Sequence, residues 1–279
     1  MLTLAASYYW GAVVLYVFSA AWYLAGWWRR QEGLITRATW LTAGTFLVPH
    51  TAAIVLRWLA VGHGPYINRH EVFVSDVWVG LAVFLAFQFR FPRLRVAGAA
   101  IVPLGALLLV VGALSTADVE PLPPSLRSLW LVVHVGFAKL AFGSILLAFG
   151  LSVVYLLKAW AQGRGAGSPW YERLPGLARL DELGYRFTGI GFASLAIMIL
   201  SGSVWAQEAW GNYWSWDAIE TWSLATWLLY GTNLHLRATY RWQGRRAAWL
   251  TVATLVVTLV AFKGLAYIVP GAHVGYLAK

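Results

Sequence analysis

Eight long apolar stretches dominate this sequence, each close to the roughly 20 residues that an α-helix needs to cross the hydrocarbon of a bilayer. They fall at about 8–28, 38–60, 73–91, 96–114, 129–157, 187–207, 217–236 and 247–269. Hydrocarbon offers no water to backbone amides and carbonyls, so such stretches are restricted to structures that satisfy those groups internally, and at this length that means helices. The chain is therefore expected to be an all-α integral membrane protein with about eight transmembrane helices, forming one polytopic membrane domain over residues 1–279. With 60% hydrophobic and only 11% charged residues, no long soluble segment is left over. The first stretch does not read as a cleaved signal peptide, because nothing basic precedes it and Arg29 and Arg30 follow it.

A net charge of +10 invites a nucleic-acid partner, but the placement of the basic residues argues against one. Arg29, Arg30 and Arg37; Arg90, Arg93 and Arg95; Lys158, Arg164, Arg173, Arg179 and Arg186; and Arg237, Arg241, Arg245 and Arg246 occupy alternate loops, and these are fifteen of the 21 Lys and Arg residues. By the positive-inside rule those loops are cytoplasmic, which sends both termini and the loop at about 207–220 to the outer side. The longest inward loop, about 158–186, is expected to form a short amphipathic helix on the membrane surface in its second half. The chain has no cysteine, so disulfides, thiolate ligands and thiol nucleophiles must come from partners, thiol-reducing proteins among them.

The six histidines separate by depth. His134 lies about five residues into the fifth span from the outside, and His273 lies just beyond the outer end of the eighth, so both can approach one point near the outer surface. Two neutral imidazoles from different helices, beside aromatic rings, suit the axial positions of an iron porphyrin; a hydrogen-bonded packing residue is the other reading of each. His235 sits ~27 Å below the outer end of span seven and His50 ~15 Å below that of span two, at 1.5 Å per residue. This difference of ~12 Å separates them too far for one iron. His235 is then either an interfacial residue or a ligand whose partner comes from another chain, and His50 is expected to be a satisfied intramembrane polar residue. His63 and His70 belong to an outer loop, "VGHGPYINRHE".

Between spans six and seven runs "WGNYWSWDAIETW", with Trp210, Trp214, Trp216 and Trp222 around Asp217 and Glu220. Trp anchors at membrane interfaces generally, but here the rings are concentrated, at spacings that one side of a short surface helix would present. Asp217 stands where an N-cap belongs, and both acids lie at the positive end of the seventh span. Nothing beside them positions a water or a sugar for hydrolysis by paired carboxylates.

The stretch "WGNYWSWDAIETWSLATWLLYGTNLH" closely resembles the WWD signature of haem-handling membrane proteins, in the version of the CcsA/ResC subunit of cytochrome c synthase. "HTAAIVLRWLAVGHGPYINRHE", "LWLVVHVGFAKLAFGSILLAFG" and "VPGAHVGY" agree in order with other parts of that subunit. The resemblance implies haem b as cofactor. It places His134 and His273 as outer iron ligands, and Trp210, Trp214, Trp216, Asp217 and Trp222 in the haem-binding loop. His235 becomes an intramembrane ligand whose iron partner belongs to a companion subunit of the CcsB/ResB type. It implies a role in haem transport and presentation to apocytochrome c, within a synthase (haem lyase) complex rather than as an enzyme acting alone. The expected location is the bacterial cytoplasmic membrane, or the thylakoid membrane of a plastid. Ala218 and Ile219 stand where the family usually has Pro-Lys, and Val274 and Gly275 where Ser-Tyr is usual. Two rival readings are a HemX-like protein assisting haem synthesis or its regulation, and a transporter of another solute using His50, Lys139 and Lys263 as buried charges or proton carriers.

Overall fold

The computed structural model describes residues 1–115, 119, 122–165 and 169–264. Within them the chain is helical, in the order α1 (Leu2–Arg29), α2 (Glu32–Thr45), α3 (Thr51–Val61), α4 (Arg69–Arg90), α5 (Gly98–Ala113), α6 (Leu129–Gly163), α7 (Pro169–Arg173), α8 (Leu177–Trp210), α9 (Ala218–Tyr240) and α10 (Arg245–Leu259). A π-helical turn, Phe46–His50, joins α2 to α3 so that the two cross as one rod, and a 3-10 turn, Pro92–Ala97, leads into α5. A helix thus occupies each of the eight expected stretches.

Seven of these runs are long and apolar enough to cross a membrane, and the protein is a multi-pass membrane protein. The expected seventh span does not meet that standard. Its helix, α9, is 23 residues long, which covers about 34 Å, but it carries Glu220, Ser223, Thr226, Asn233 and Arg237. Buried among these are Glu220, Ser223, Thr226 and Asn233, so the helix turns its polar side inward.

The expected surface helix in the 158–186 loop is also corrected. α6 continues to Gly163, α7 is a single turn, and the second half of the loop is the beginning of α8. Leu180, Leu183, Gly184 and Thr188 form one buried face that runs without a break into the membrane part of α8, so nothing stops the helix between them.

Two layers of packing follow. The larger apolar core joins α1, α2, α4, α5 and one side of α6; a smaller one joins α6, α8, α9 and α10. α6 is shared by both and packs most extensively along α8. Large apolar side chains such as Phe18, Trp40, Leu47 and Leu59 are exposed on the outside of the bundle, as expected where lipid is the solvent.

The two ends of the bundle are fastened differently. At one end the Asp181 carboxylate accepts from Arg237 at 2.7 Å and from the Gly244 amide at 3.0 Å, Arg245 donates to the Ala159 carbonyl, and Lys158 donates to the carbonyls of Leu174 and Pro175. At the other, Ser128 donates to Glu208 and the Trp205 indole to the Ser125 carbonyl. The basic loops gather at the first end and the Trp-rich loop lies at the second. Because the chain has no native cysteine, a single introduced thiol reports its side of the membrane without background. Asn212→Cys is expected to react with a membrane-impermeant maleimide added outside intact cells, and Gln243→Cys only after permeabilisation; the reverse pattern would invert the topology.

Candidate functional site

The Trp-rich loop is fixed from within. α8 ends at Gly211, whose φ of 78° lies in the left-handed region that glycine enters without a Cβ penalty. Asp217 then caps α9: its side chain accepts from the Glu220 amide at 2.8 Å, and Glu220 reaches back to the Asp217 amide, a complete capping box. Asp217 is the cap that its position predicts. Glu220, buried, also accepts from the Ser215 amide at 2.7 Å and its hydroxyl at 3.1 Å, so one carboxylate holds the loop to the helix it precedes.

The residues between these points form no surface helix, contrary to the spacing argument. Gly211 stops α8, and Trp216 has φ 59°, a conformation bulky residues rarely adopt and helices do not contain. Strain of this kind persists only where surrounding bonds hold it, and here the Glu220 clasp lies directly after it. The rings of Trp214 and Trp216 meet edge to face at 5.7 Å.

Behind the loop lies a cavity of about 200 Å3, walled mainly by apolar side chains of α6, α8 and the end of α10. His134, on the second turn of α6, lines both this cavity and a small cleft of about 30 Å3 that it shares with Tyr213, Trp214 and Glu220. Its ring is fixed by α8. Nδ1 lies 2.8 Å from the Met198 carbonyl, which can only accept, so Nδ1 carries the proton and the lone pair is on Nε2. The Trp205 indole is stacked beside it at 6.3 Å between ring centres, and Trp210 meets Trp205 edge to face at 4.8 Å. Trp205 is the aromatic link between His134 and the loop, and its place six positions before the Gly211 stop was the signal for it.

Of the other expected site residues, Trp214 and Trp210 come together with His134 as described. Trp216 is exposed, and Trp222, half-buried on α9, lines neither cavity nor cleft. His235 is exposed on α9, beside Tyr240 and Thr239 and about 24 Å along the helix from the cavity residue Ile219. His273 lies outside the described residues, as does the Lys263 side chain.

The remaining histidines are bonded. His50 is fully buried: its Nε2–H donates to the Val74 carbonyl at 3.1 Å and its Nδ1 accepts from the Tyr16 hydroxyl at 3.0 Å, so both nitrogens are committed. His63 and His70 donate from Nδ1 to the carbonyls of Gly64 and Gly112. Lys139, on the cavity wall, donates to Asp76 at 3.0 Å and to the Ser75 hydroxyl at 2.6 Å. Tyr66, between the spans at the same end, has its phenol pushed above the usual value by burial and by the Glu71 charge, which keeps it neutral.

The donor set fits an iron porphyrin better than a bare metal ion. Among the described residues no three of His, Asp and Glu converge to hold one. A porphyrin needs only axial nitrogens, and His134 holds its lone pair on Nε2. The buried indole nitrogen of Trp214 has no hydrogen-bond partner among the described residues, and such a donor calls for an acceptor.

These helices define a polytopic membrane protein with a walled, largely apolar cavity at one end of its bundle. The family model for cytochrome c assembly proteins matches residues 67–273, which include every residue that lines the cavity except Tyr66. The chain is 30% identical to the cytochrome c biogenesis protein CcsA of Gloeobacter violaceus, over 93% of this chain and 92% of that one. It is 35% identical to CcsA of Parasynechococcus marenigrum over 80% and 81%, and 33% identical to CcsA of Guillardia theta over 82% and 83%. The chain belongs to the cytochrome c assembly family, within it to the CcsA type, and its role is in cytochrome c biogenesis.

Removing the Glu220 carboxylate takes the acceptor from the Ser215 and Asp217 donors at once. Glu220→Ala is expected to cost about 1–2 kcal/mol, read as a lowered thermal midpoint in detergent, and to open residues 211–217 to protease. An unchanged midpoint with an equally resistant loop would show that the clasp does not hold it.

Proposed function

We propose that this chain is the haem-binding and haem-presenting subunit of a cytochrome c synthase, with its outer site formed by His134, His273 and the WWD loop. The observation that carries this reading is the bond from His134 Nδ1 to the Met198 carbonyl, which leaves the imidazole in the tautomer that ligates through Nε2. α10 and the π-helical turn that follows it, Val260–Gly264, bring Thr258, Leu259 and Phe262 to the wall of the same cavity. From Gly264, nine further residues lead to His273, and nine residues reach at most about 30 Å, so His273 is within range of it.

Haem b, when bound, supplies the vinyl groups to which the cysteine thiols of an apocytochrome c add. The chain's part is binding and orientation. His134 and His273 would hold the haem iron. The Trp214 indole offers a buried donor, Trp205 and Trp210 support His134, and the apolar wall excludes water. Asp217 acts through the cap it makes, and Trp216 and Trp222 belong to the outer face of the loop. The thiols come from the partner, because this chain has none.

His235 forms a second, inner site on the path of haem from the cytoplasmic side. Its exposure on α9 supports ligation shared with a companion subunit of the CcsB/ResB type. The solute-transporter reading finds no support in His50, whose nitrogens are both committed, or in Lys139, which is paired with Asp76; the Lys263 side chain lies outside the described residues. The reading as an assistant of haem synthesis shares the pocket but not the name that the relatives carry.

The test is the absorption spectrum of the purified protein, oxidised and reduced, alone and with its companion. His134→Ala and His273→Ala are each expected to weaken a bis-histidine haem spectrum that added imidazole restores, while His235→Ala removes a separate component only in the complex. A preparation with no haem in any form would defeat the proposal.

A further inference from the structure

Gly202 occupies a place on α8 that no larger residue fits without moving His134. A Cβ built there would stand 2.5 Å from His134 Nδ1 and 2.8 Å from Cε1, well inside any real contact. The imidazole therefore lies directly on the backbone of α8, with its Nδ1–H on the Met198 carbonyl one helical turn away and the Trp205 indole stacked beside it. Three residues of α8 at spacings of four and three thus form a seat for one ring on α6. The glycine supplies the close approach, the carbonyl fixes the proton, and the indole limits the tilt.

The geometry points to Gly202 as a positioning residue of the haem site: it lets the α8 backbone select the Nε2-ligating tautomer of His134 and hold the ring in one orientation. This deepens the proposed haem-binding function and rests on it. The physical argument is that a ligating imidazole works through two constraints at once, which nitrogen carries the lone pair and where it points, and that both are set by the partner of the other nitrogen. A methyl group at residue 202 leaves α8 intact, because the ring, not backbone, is what it meets. The ring must swing away, and the swing breaks the bond to Met198 that set the tautomer. The defect is thus confined to ligation.

Gly189 provides an internal control on the same helix, because a Cβ there meets nothing within 4 Å. The experiment titrates hemin into the full-length protein purified in detergent, comparing wild type with Gly202→Ala, Gly189→Ala and His134→Ala. It follows affinity, the oxidised and reduced spectra, the midpoint potential and rescue by imidazole. Gly202→Ala is expected to weaken hemin binding by about 10-fold or more, the scale of losing an outer-shell partner. It is also expected to shift the spectrum and potential and to respond to imidazole, while keeping the thermal midpoint of Gly189→Ala. If His134→Ala loses the ligand but Gly202→Ala matches Gly189→Ala in every readout, Gly202 has no positioning role and the haem reading stands. If His134→Ala binds hemin with an unchanged spectrum, the outer site itself is wrong and the inference falls with it.

Discussion

The contact between α6 and α8 is the interaction on which the rest of the molecule depends. Inside a membrane, helices gain nothing by hiding apolar surface from lipid, so association rests on close packing and on bonds between helices. The two longest helices, 35 and 34 residues, meet this demand by lying along one another. Where Gly191 faces Ile145, a Cβ would stand 2.7 Å from the isoleucine, and where Gly202 faces His134 it would be closer still. The first glycine admits a packing side chain and the second admits the imidazole of His134. The same device that binds the helices together near the middle therefore seats the His134 ring near the end.

Buried polar groups in this bundle divide by what their partners leave behind. His50 donates with one nitrogen and accepts with the other, so it ties α4 to α1 and has no lone pair to offer a metal. Glu71 receives Arg57 and the Ile67 amide, and Lys139 joins α6 to Asp76 and Ser75 of α4. These are internal fastenings, which a hydrocarbon setting makes necessary because an unpaired polar group there is costly. His134 stands at the cavity: its Nδ1–H donates to the Met198 carbonyl, and the cavity adjoins its ring.

Much of this was legible in the sequence. Span positions follow from hydropathy because the bilayer imposes one length on every crossing, and the Asp217 cap follows from its place before a helix with Glu220 three residues on. The satisfied state of His50 was expected, and its two bonds bear that out. What was not legible depends on contacts between distant segments. Trp spacing suggested a helix because spacing alone does not reveal that Trp216 takes a left-handed conformation. The inner loop looked like a surface element because its charges concealed the buried face of Leu180, Leu183 and Thr188. Gly202 carries no mark in the sequence at all, since a close approach is a property of two helices.

The least apolar helix shows how one element can serve both ends of the molecule. α9 buries Glu220 under the Trp-rich loop, and Asn233 bonds to Thr251 of α10 near the other end. Arg237 closes on Asp181 of α8. Glu220, Asn233 and Arg237 are thus matched by partners, while the buried Thr226 hydroxyl has none among the described residues. His235 breaks the pattern, because it lies on the exposed side, with Leu228 and Thr232 on the preceding turns. Under the proposed function, a companion subunit that supplies an iron ligand would bury and ligate His235 in a single docking event.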